Sequence, residues 1–507
     1  MDLLSNLNLG FSLALTWQNV LFCFMGALLG TILGVLPGIG PVAGISLLLP
    51  ITYTLNPTSA VIMFAGIYYG AAYGGSTTSI LVNTPGEGMS VITCLDGYAM
   101  AKQGRAKAAL ATSAIGSFFA GTLATIATTL VAIPIAEFAL RFAPPEFFAL
   151  MLMAMTAVGA LTAEAPTKGL FSCLIGLFLA MVGMDQQTGQ VRFAFGIADL
   201  IEGIDFIVVA IGLFAVGEVL VQAEAISQTG VQEREHIKGK LWISWQELKD
   251  SFKPYCRGTL VGYAMGALPG VGPTTSSFLS YALEKKLSKH PEQFGKGAIE
   301  GVASPEAANN AAATGAMVHL LVLGIPGSAT TAIMLGAFIM YGLQPGPLLF
   351  TKNPDFVWVI IASMYMGNVI LLILNLPLVN LFAKILDLPA AILYAMVLAF
   401  CCMGVFVVRF AVLDIFLVMG FGIMGYFMKK HGYPGAPLLL AFILGDLMEQ
   451  AFRRSLALSN GDWTVFFTRP ISLIILIIVA IFMALTLMSY LRRKAKQAGG
   501  KNAPILS

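Results

Sequence analysis

Apolar segments, most of them long enough to form a membrane-crossing helix, recur along this 507-residue chain. They lie near 12–34, 60–82, 108–133, 146–163, 167–184 and 204–222, and again near 303–323, 356–380, 390–408, 410–428 and 470–491. A helix needs about 20 such residues to cross the roughly 30 Å hydrocarbon layer of a bilayer. Composition leaves little room for another reading. Lys and Arg number 29 and Asp and Glu 26, so charged residues make up 11% of the chain, where a soluble globular protein carries about 25%. Mean hydropathy is +0.83. Too little polar surface exists to keep the chain in water. The sequence therefore predicts an all-α polytopic membrane protein with about 10–12 membrane segments, and it excludes a soluble enzyme. A net charge of +3 without a basic block excludes nucleic acid as a partner. Cys23, Cys94, Cys173, Cys256, Cys401 and Cys402 lie scattered in apolar sequence with no CxxC, and read as small core residues. The N-terminus lacks a positive leader region, so no cleaved signal peptide is expected.

Residues 224–257 interrupt the apolar pattern, with 11 charges in 34 residues. Ser244 and Glu247 have the spacing of a capping box. Trp245, Leu248 and Phe252 then share one helical face, which predicts a short helix lying in the membrane interface. The segment divides the chain into a first membrane half, 1–223, and a second, 258–491, with a basic tail over 492–507.

The two halves are related. GVLPGIGP, Gly34–Pro41, recurs in the second half as GALPGVGP, Gly266–Pro273, identical at six of eight positions. Farther on, YYGAAYGGSTTSILVNTPG, Tyr68–Gly86, has a weaker echo in NNAAATGAMVHLLVLGIPG, Asn309–Gly327. Tyr68-Tyr69 then align with Asn309-Asn310, Gly74 with Gly315, and Pro85-Gly86 with Pro326-Gly327. Each half carries an LPGxGP element followed by a PG element.

Neither element continues a helix, because Pro lacks a backbone donor and Gly lacks a packing side chain. Unpaired backbone at membrane depth is tolerated only inside protein or beside a watery cavity. Around Pro269-Gly270-Val271-Gly272-Pro273 the apolar arms are too short to span before Arg257 on one side and Glu284-Lys285 on the other. The expected form is a re-entrant helical hairpin with the motif at its tip, or a broken helix. Paired interruptions of this kind in two halves point to a transporter binding site.

Basic residues set the orientation of the halves, since cytoplasmic loops collect Lys and Arg. After the second LPGxGP come Lys285, Lys286, Lys289 and Lys296, whereas the corresponding stretch PITYTLNPTSA is uncharged. After the PG elements the bias reverses, with Lys102, Arg105 and Lys107 in the first half and only Lys352 with Asp355 in the second. The sequence thus predicts two inverted-topology repeats, with the charged linker cytoplasmic.

Candidate site residues cluster at the four breaks. Around the LPGxGP tips they are Pro37, Gly38 and Gly40, and Pro269, Gly270, Gly272, Thr274 and Thr275. Around the PG elements they are Ser76, Thr77, Thr78, Asn83, Pro85 and Gly86, and Pro326, Gly327 and Ser328. Hydroxyls at a fresh helix N-terminus, with its exposed amides, suit an anionic substrate; isolated Ser and Thr also bond their own backbone. Asn309, Asn310, Glu306 and Thr314 form the candidate cation group, since adjacent amides offer carbonyl oxygens to a small cation. A competing role for Glu306 is capping a helix that begins after Pro305. Asp96, Glu137, Glu164, Asp185, Asp414, Asp446 and Glu449 lack a repeated context and read as interface or ion-pair residues, Glu164 with Lys168 for example. No HExxH, GxSxG or Walker motif occurs, so neither catalysis nor ATP hydrolysis is expected.

With these motifs in view, the chain resembles the large membrane subunit of the tripartite tricarboxylate transporters. GVLPGIGPVAGISLLLP, YYGAAYGGSTTSILVNTPGE, GALPGVGP, PEAANNAAATGA and LVLGIPGSATTAIMLGA carry the resemblance, which extends over nearly the whole length. It implies a bacterial inner-membrane secondary transporter of carboxylates, citrate-like tricarboxylates first among them, driven by a proton or sodium gradient and needing no cofactor. It also implies two partners, a small four-helix membrane subunit and a periplasmic solute-binding protein. A stand-alone organic-anion channel or exporter is the alternative.

Overall fold

A computed structural model describes residues 3–36, 39–161, 166–185, 187–229, 243–268, 271–383 and 390–500. The described chain is helical apart from loops and one hairpin of two-residue strands, Gly183–Met184 with Val191–Arg192. It forms two compact units, and each half of the sequence contributes to both. One unit holds residues 1–140 and 205–427, the other 141–204 and 428–507.

In chain order the helices are α1 (Leu3–Ala14), α2 (Trp17–Val35), α3 (Pro41–Thr52), α4 (Pro57–Val82), α5 (Ala106–Ala139), α6 (Pro144–Leu161) and α7 (Pro166–Ala180). There follow α8 (Phe206–Ala210), α9 (Gly217–Thr229), α10 (Trp245–Gly266), α11 (Gly272–Leu287), α12 (Glu300–Leu323) and α13 (Ala329–Met340). The remainder are α14 (Pro347–Lys352), α15 (Pro354–Ala383), α16 (Ala390–Arg409), α17 (Val412–Lys430), α18 (Gly435–Leu458), α19 (Val465–Thr468) and α20 (Pro470–Gly500). Six described stretches are long and apolar enough to span: 17–35, 101–139, 206–225, 354–378, 412–430 and 435–458. Six further apolar helices are shorter, at 10–17 described residues. The apolar run expected over 12–34 is two elements, since α1 ends at Ala14 and α2 begins at Trp17.

At the heart of the larger unit stand α4 and α12. Of their 26 and 24 residues, 24 and 22 are buried. Both are rich in Gly, Ala and polar residues, the composition of helices enclosed on all sides by protein. In lipid there is no hydrophobic gain from pairing helices, so association rests on close van der Waals contact through small residues. α2 carries Gly26, Gly30 and Gly34 on one face. A Cβ on these would stand 2.3, 2.5 and 2.2 Å from the carbonyl oxygens of Met63, Ile67 and Ala71 of α4. In α10, Gly258, Gly262 and Gly266 meet the carbonyls of Ser304, Ala308 and Ala312 of α12, each at 2.3 Å. The second ladder reproduces the first rung by rung. Its glycines keep the offset that relates the two LPGxGP elements, and their carbonyl partners keep the offset that relates the two PG elements. Each half's next long helix then packs on the other half's pair: α5 lies against α10 and α12, and α15 against α2 and α4.

The second break is a hairpin. Across it the Arg257 guanidinium makes two bonds to Glu284, Nε to Oε2 at 2.9 Å and Nη2 to Oε1 at 2.5 Å, tying α10 to α11. The capping box is formed: Ser244 N donates to Glu247 Oε2 at 2.9 Å, and Glu247 N donates to Ser244 Oγ at 3.2 Å. The helix it opens is longer than the sequence predicts. It continues through the linker's end to Gly266 and is itself the first arm of the hairpin. Pro254 lies inside it at little cost, because the carbonyl it leaves without a donor belongs to the exposed Asp250.

Several acids without a repeated context have local partners. In the smaller unit Asp185, Arg192, Glu449 and Arg453 form one cluster, with Arg453 Nη1 3.0 Å from Asp185 Oδ2 and Arg192 Nη1 3.2 Å from Glu449 Oε1. Buried Glu146 accepts from Arg469 at 2.5 Å. Glu164 lies outside the described residues, while Lys168 binds the carbonyl of His431. Asp96 differs from all of these. Fully buried, it accepts from Tyr281 Oη at 2.9 Å and from the amides of Gly295, Gly297 and Ala298 at 2.8–2.9 Å, holding the loop that precedes α12.

Candidate functional site

Glu306 lies inside α12, not at its start. The helix begins at Glu300, well before Pro305, so the capping role is overturned. Its carboxylate turns toward the first half, where every donor is a neutral hydroxyl: Ser76 of α4 at 2.7 Å, Ser113 of α5 at 2.8 Å, and Thr93. One turn on, Asn310 Nδ2 donates to Ser117 Oγ at 2.8 Å, to the Glu306 carbonyl at 3.2 Å and to Asn309 Oδ1 at 2.5 Å. Asn309 Nδ2, buried, approaches the Glu306 carboxylate without completing a hydrogen bond. Thr314, also buried, is approached by the Tyr69 hydroxyl, which completes no hydrogen bond.

Both central helices stop in the same way. α4 ends at Asn83 (φ 57°, ψ 23°) and α12 at Gly324 (φ 71°, ψ 25°), aligned positions of the repeat and both left-handed. That geometry closes a helix C-terminus at low cost when the residue is Gly or Asn. The Pro-Gly elements follow, and after each a capping box starts a new turn. Glu87 and Ser90 open the short 3-10 turn Gly88–Ser90, and Ser328 and Thr331 open α13. Gly86 is wedged against the carbonyl of Gly34, and Gly327 against the imidazole of His319.

The segments after the four breaks meet, though Pro37, Gly38, Pro269 and Gly270 lie outside the described residues. A Cβ on Gly40 would stand 3.1 Å from Glu87 Oε2, and one on Gly272 3.9 Å from Ser328 Cβ. A Cβ on Gly88 would reach Thr274 Oγ1 at 2.9 Å, so the second hairpin touches the first half's break. Reciprocally, α3 packs on α13. Other predicted residues are engaged elsewhere. Thr78 Oγ1 donates to Val35 O at 2.7 Å and Thr77 Oγ1 to Tyr73 O at 3.3 Å; Thr275 is exposed, and Asn83 is an exposed cap.

Around this convergence the protein leaves buried polar atoms unmatched: Tyr68 Oη, Tyr69 Oη, Glu87 Oε1, Asn309 Nδ2 and both ring nitrogens of His319. Each costs about 1–3 kcal/mol if nothing meets it, so their concentration beside four helix breaks makes this the candidate ligand site. Sequence reasoning missed Glu87, although the repeat alignment carries the signal, since Glu87 holds the place of Ser328. It missed Asp96 as well, and there no signal exists, because its partners are mostly backbone amides. No cluster of three or more metal-binding side chains occurs among the described residues.

Comparison with known proteins fixes the family. A profile of the Tripartite tricarboxylate transporter TctA family matches residues 20–440. The chain belongs to this family. Among its relatives, an uncharacterized 52.8 kDa protein in the TAR-I ttuC' 3' region of Agrobacterium vitis is 46% identical over 496 residues, 97% of this chain and 98% of its own length. A second uncharacterized Agrobacterium vitis protein, in the TAR-II ttuC' 3' region, is 44% identical over 236 residues, 46% of this chain and 98% of its own length. No solved structure matches. The chain is thus a multi-pass helical membrane component of a tripartite transport family.

Proposed function

We propose that this TctA chain is the substrate-translocating subunit of a binding-protein-dependent importer in the bacterial inner membrane, taking up tricarboxylate-like organic acids on an ion gradient. The observation that carries the reading is the convergence of four helix breaks around buried polar atoms that lack protein partners. Backbone and side-chain dipoles left open at such a place accept a charged solute without an opposing fixed charge. Glu306, Asn309, Asn310 and Thr314 serve the coupling cation, a proton or sodium, because the acid's hydrogen-bond donors are neutral and a cation balances it.

Inverted insertion of the halves is part of the proposal, and cross-half hydrogen bonds support it. Gln103 Nε2 donates to Lys296 O at 2.8 Å, and Asp96 grips the backbone over Gly295–Ala298, so the basic loops of the two halves lie together. Tyr341 Oη donates to Thr52 O at 2.6 Å, joining the counterparts that lack a basic cluster. Single cysteines at the exposed positions Thr54 and Lys289, in a chain with Cys256 replaced, are expected to label from opposite sides; labelling from one side removes the inversion.

The function is tested by reconstitution into liposomes. With the solute-binding protein, the small four-helix subunit and an imposed gradient, uptake of citrate is expected to saturate; the chain alone is expected to take up little. Robust uptake by the isolated chain returns the reading to a stand-alone channel or exporter.

A further inference from the structure

We infer that one carboxylate of the substrate is held at the start of α13 by His319 and Tyr68, with Ser328 beside them. The inference rests on the transport reading above and assigns two residues to recognition within it. His319 is 3% exposed and Tyr68 fully buried, yet neither imidazole nitrogen of the one nor the hydroxyl of the other has a hydrogen-bond partner. They come from opposite halves of the chain and approach adjacent residues, Gly327 and Ser328. His319 Nε2 presses on Gly327, standing 2.1 Å from where a Cβ would be. The Tyr68 hydroxyl is turned toward Ser328 without closing a bond. Ser328 caps α13, a 12-residue helix whose N-terminal end favours negative charge. Gly272, in the left-handed region at φ 67°, brings the second hairpin to the same spot, 3.8 Å from the Gly327 carbonyl as judged by a Cβ built on it.

The chemistry selects the ligand. A neutral imidazole offers one N–H, a phenol one O–H, and neither can neutralise a charge. Two such donors at a helix N-terminus match the two oxygens of a carboxylate, for which donors are worth about twice their neutral value. The other break cannot play this part. There the residue equivalent to Ser328 is Glu87, a carboxyl in place of a hydroxyl, whose Oε1 is itself buried and unmatched, so that break is short of a partner for its own oxygen. The two breaks are thus specialised, with the anion at the second.

Thermal unfolding of the intact chain in detergent, titrated with acetate, succinate and citrate, provides the test. Citrate is expected to stabilise the wild type. His319→Leu should weaken that stabilisation by at least about tenfold in apparent affinity, the loss of one hydrogen bond to a charged group. His319→Gln, which keeps an N–H, should recover part of it, and Tyr68→Phe should lose about tenfold as well. The melting temperature without ligand is the control for folding. A wild type stabilised by citrate with His319→Leu and Tyr68→Phe unchanged overturns the subsite and leaves the transport reading intact. Should His319→Leu fail to fold, Tyr68→Phe and His319→Gln decide alone. A wild type stabilised by none of the three acids overturns both.

Discussion

The two central helices, α4 and α12, are related by sequence and end in the same backbone device, yet they carry different chemistry. Tyr68-Tyr69 of α4 stands where α12 has Asn309-Asn310, Ala65 stands where α12 has Glu306, and the break after α4 is capped by Glu87 where the other has Ser328. What the halves share is backbone: the glycine ladders, the left-handed ends, the Pro-Gly and the capping boxes. Where they differ is in buried side chains, the phenols of Tyr68 and Tyr69 against the acid and amides of Glu306, Asn309 and Asn310. Backbone devices are constrained by geometry that few residues satisfy, since a carbonyl in the place of a Cβ admits only glycine. Side chains off the ladders are free to diverge, and here they diverge into an acid-and-amide helix and a phenolic one.

Equivalence of the ladders is the easiest part to break. Gly30→Leu and Gly262→Leu are each expected to cost about 3 kcal/mol or more, beyond ordinary overpacking, because the obstacle is backbone. Loss of monodisperse protein on size-exclusion chromatography of membranes solubilised in mild detergent would register it. If only one variant fails, the two helix pairs are not equivalent in stability, and the halves fold on different terms.

Much of this architecture was legible in the sequence, for reasons the comparison explains. The breaks were visible because Pro and Gly announce themselves, and the repeat because LPGxGP survived in both halves. The one-per-turn glycine spacing of α2 and α10 stood in the same sequence and would have predicted both helix pairs. The length of α10 was not legible. A proline at position 254 and a run of charges look like an end, and only the exposure of Asp250, whose carbonyl Pro254 leaves without a donor, lets the helix pass through. Glu306 was open to misreading as well. An acid immediately after a proline resembles a cap, and nothing local reveals that its partners are Ser76, Thr93 and Ser113, all in the other half of the chain.

Glu306 has no acidic equivalent in α4, where Ala65 stands in its place. Glu306→Ala removes the acceptor of three buried hydroxyls, one of which, Ser76, also reaches its own backbone at Ala72 O, 3.0 Å. The net expected cost is about 2 kcal/mol, with uptake lost at every cation concentration. Glu306→Gln preserves shape and half of the acceptor capacity, so it should fold nearly as well as the wild type and lose cation dependence instead. Adding Ala65→Glu to Glu306→Ala puts the acid at the pseudo-equivalent place in α4. The double variant should not recover uptake, because the hydroxyls that meet Glu306 come from the first half and have no counterparts in the second. Recovery would mean that the asymmetry between the helices is dispensable.

The smallest effect is expected where the halves agree most. Asn83 and Gly324 close the two central helices in the same left-handed conformation, but their surroundings differ. Asn83 is exposed, whereas a Cβ on Gly324 would lie 2.9 Å from the carbonyl carbon and oxygen of Pro345. Asn83→Gly removes only a side chain and relieves the modest strain of a non-glycine residue at positive φ, so stability should change by no more than about 0.5 kcal/mol. Asn83→Val keeps the conformation but adds a branched Cβ, at a cost of about 1–2 kcal/mol. Gly324→Asn carries the strain and the clash together and should exceed both. Melting temperatures of the three variants, measured beside citrate uptake, separate two roles for Asn83. If Asn83→Gly transports like the wild type, the residue is a helix cap and not a substrate ligand. If its uptake falls while its melting temperature holds, the amide touches the solute, and the first break is a binding element in its own right.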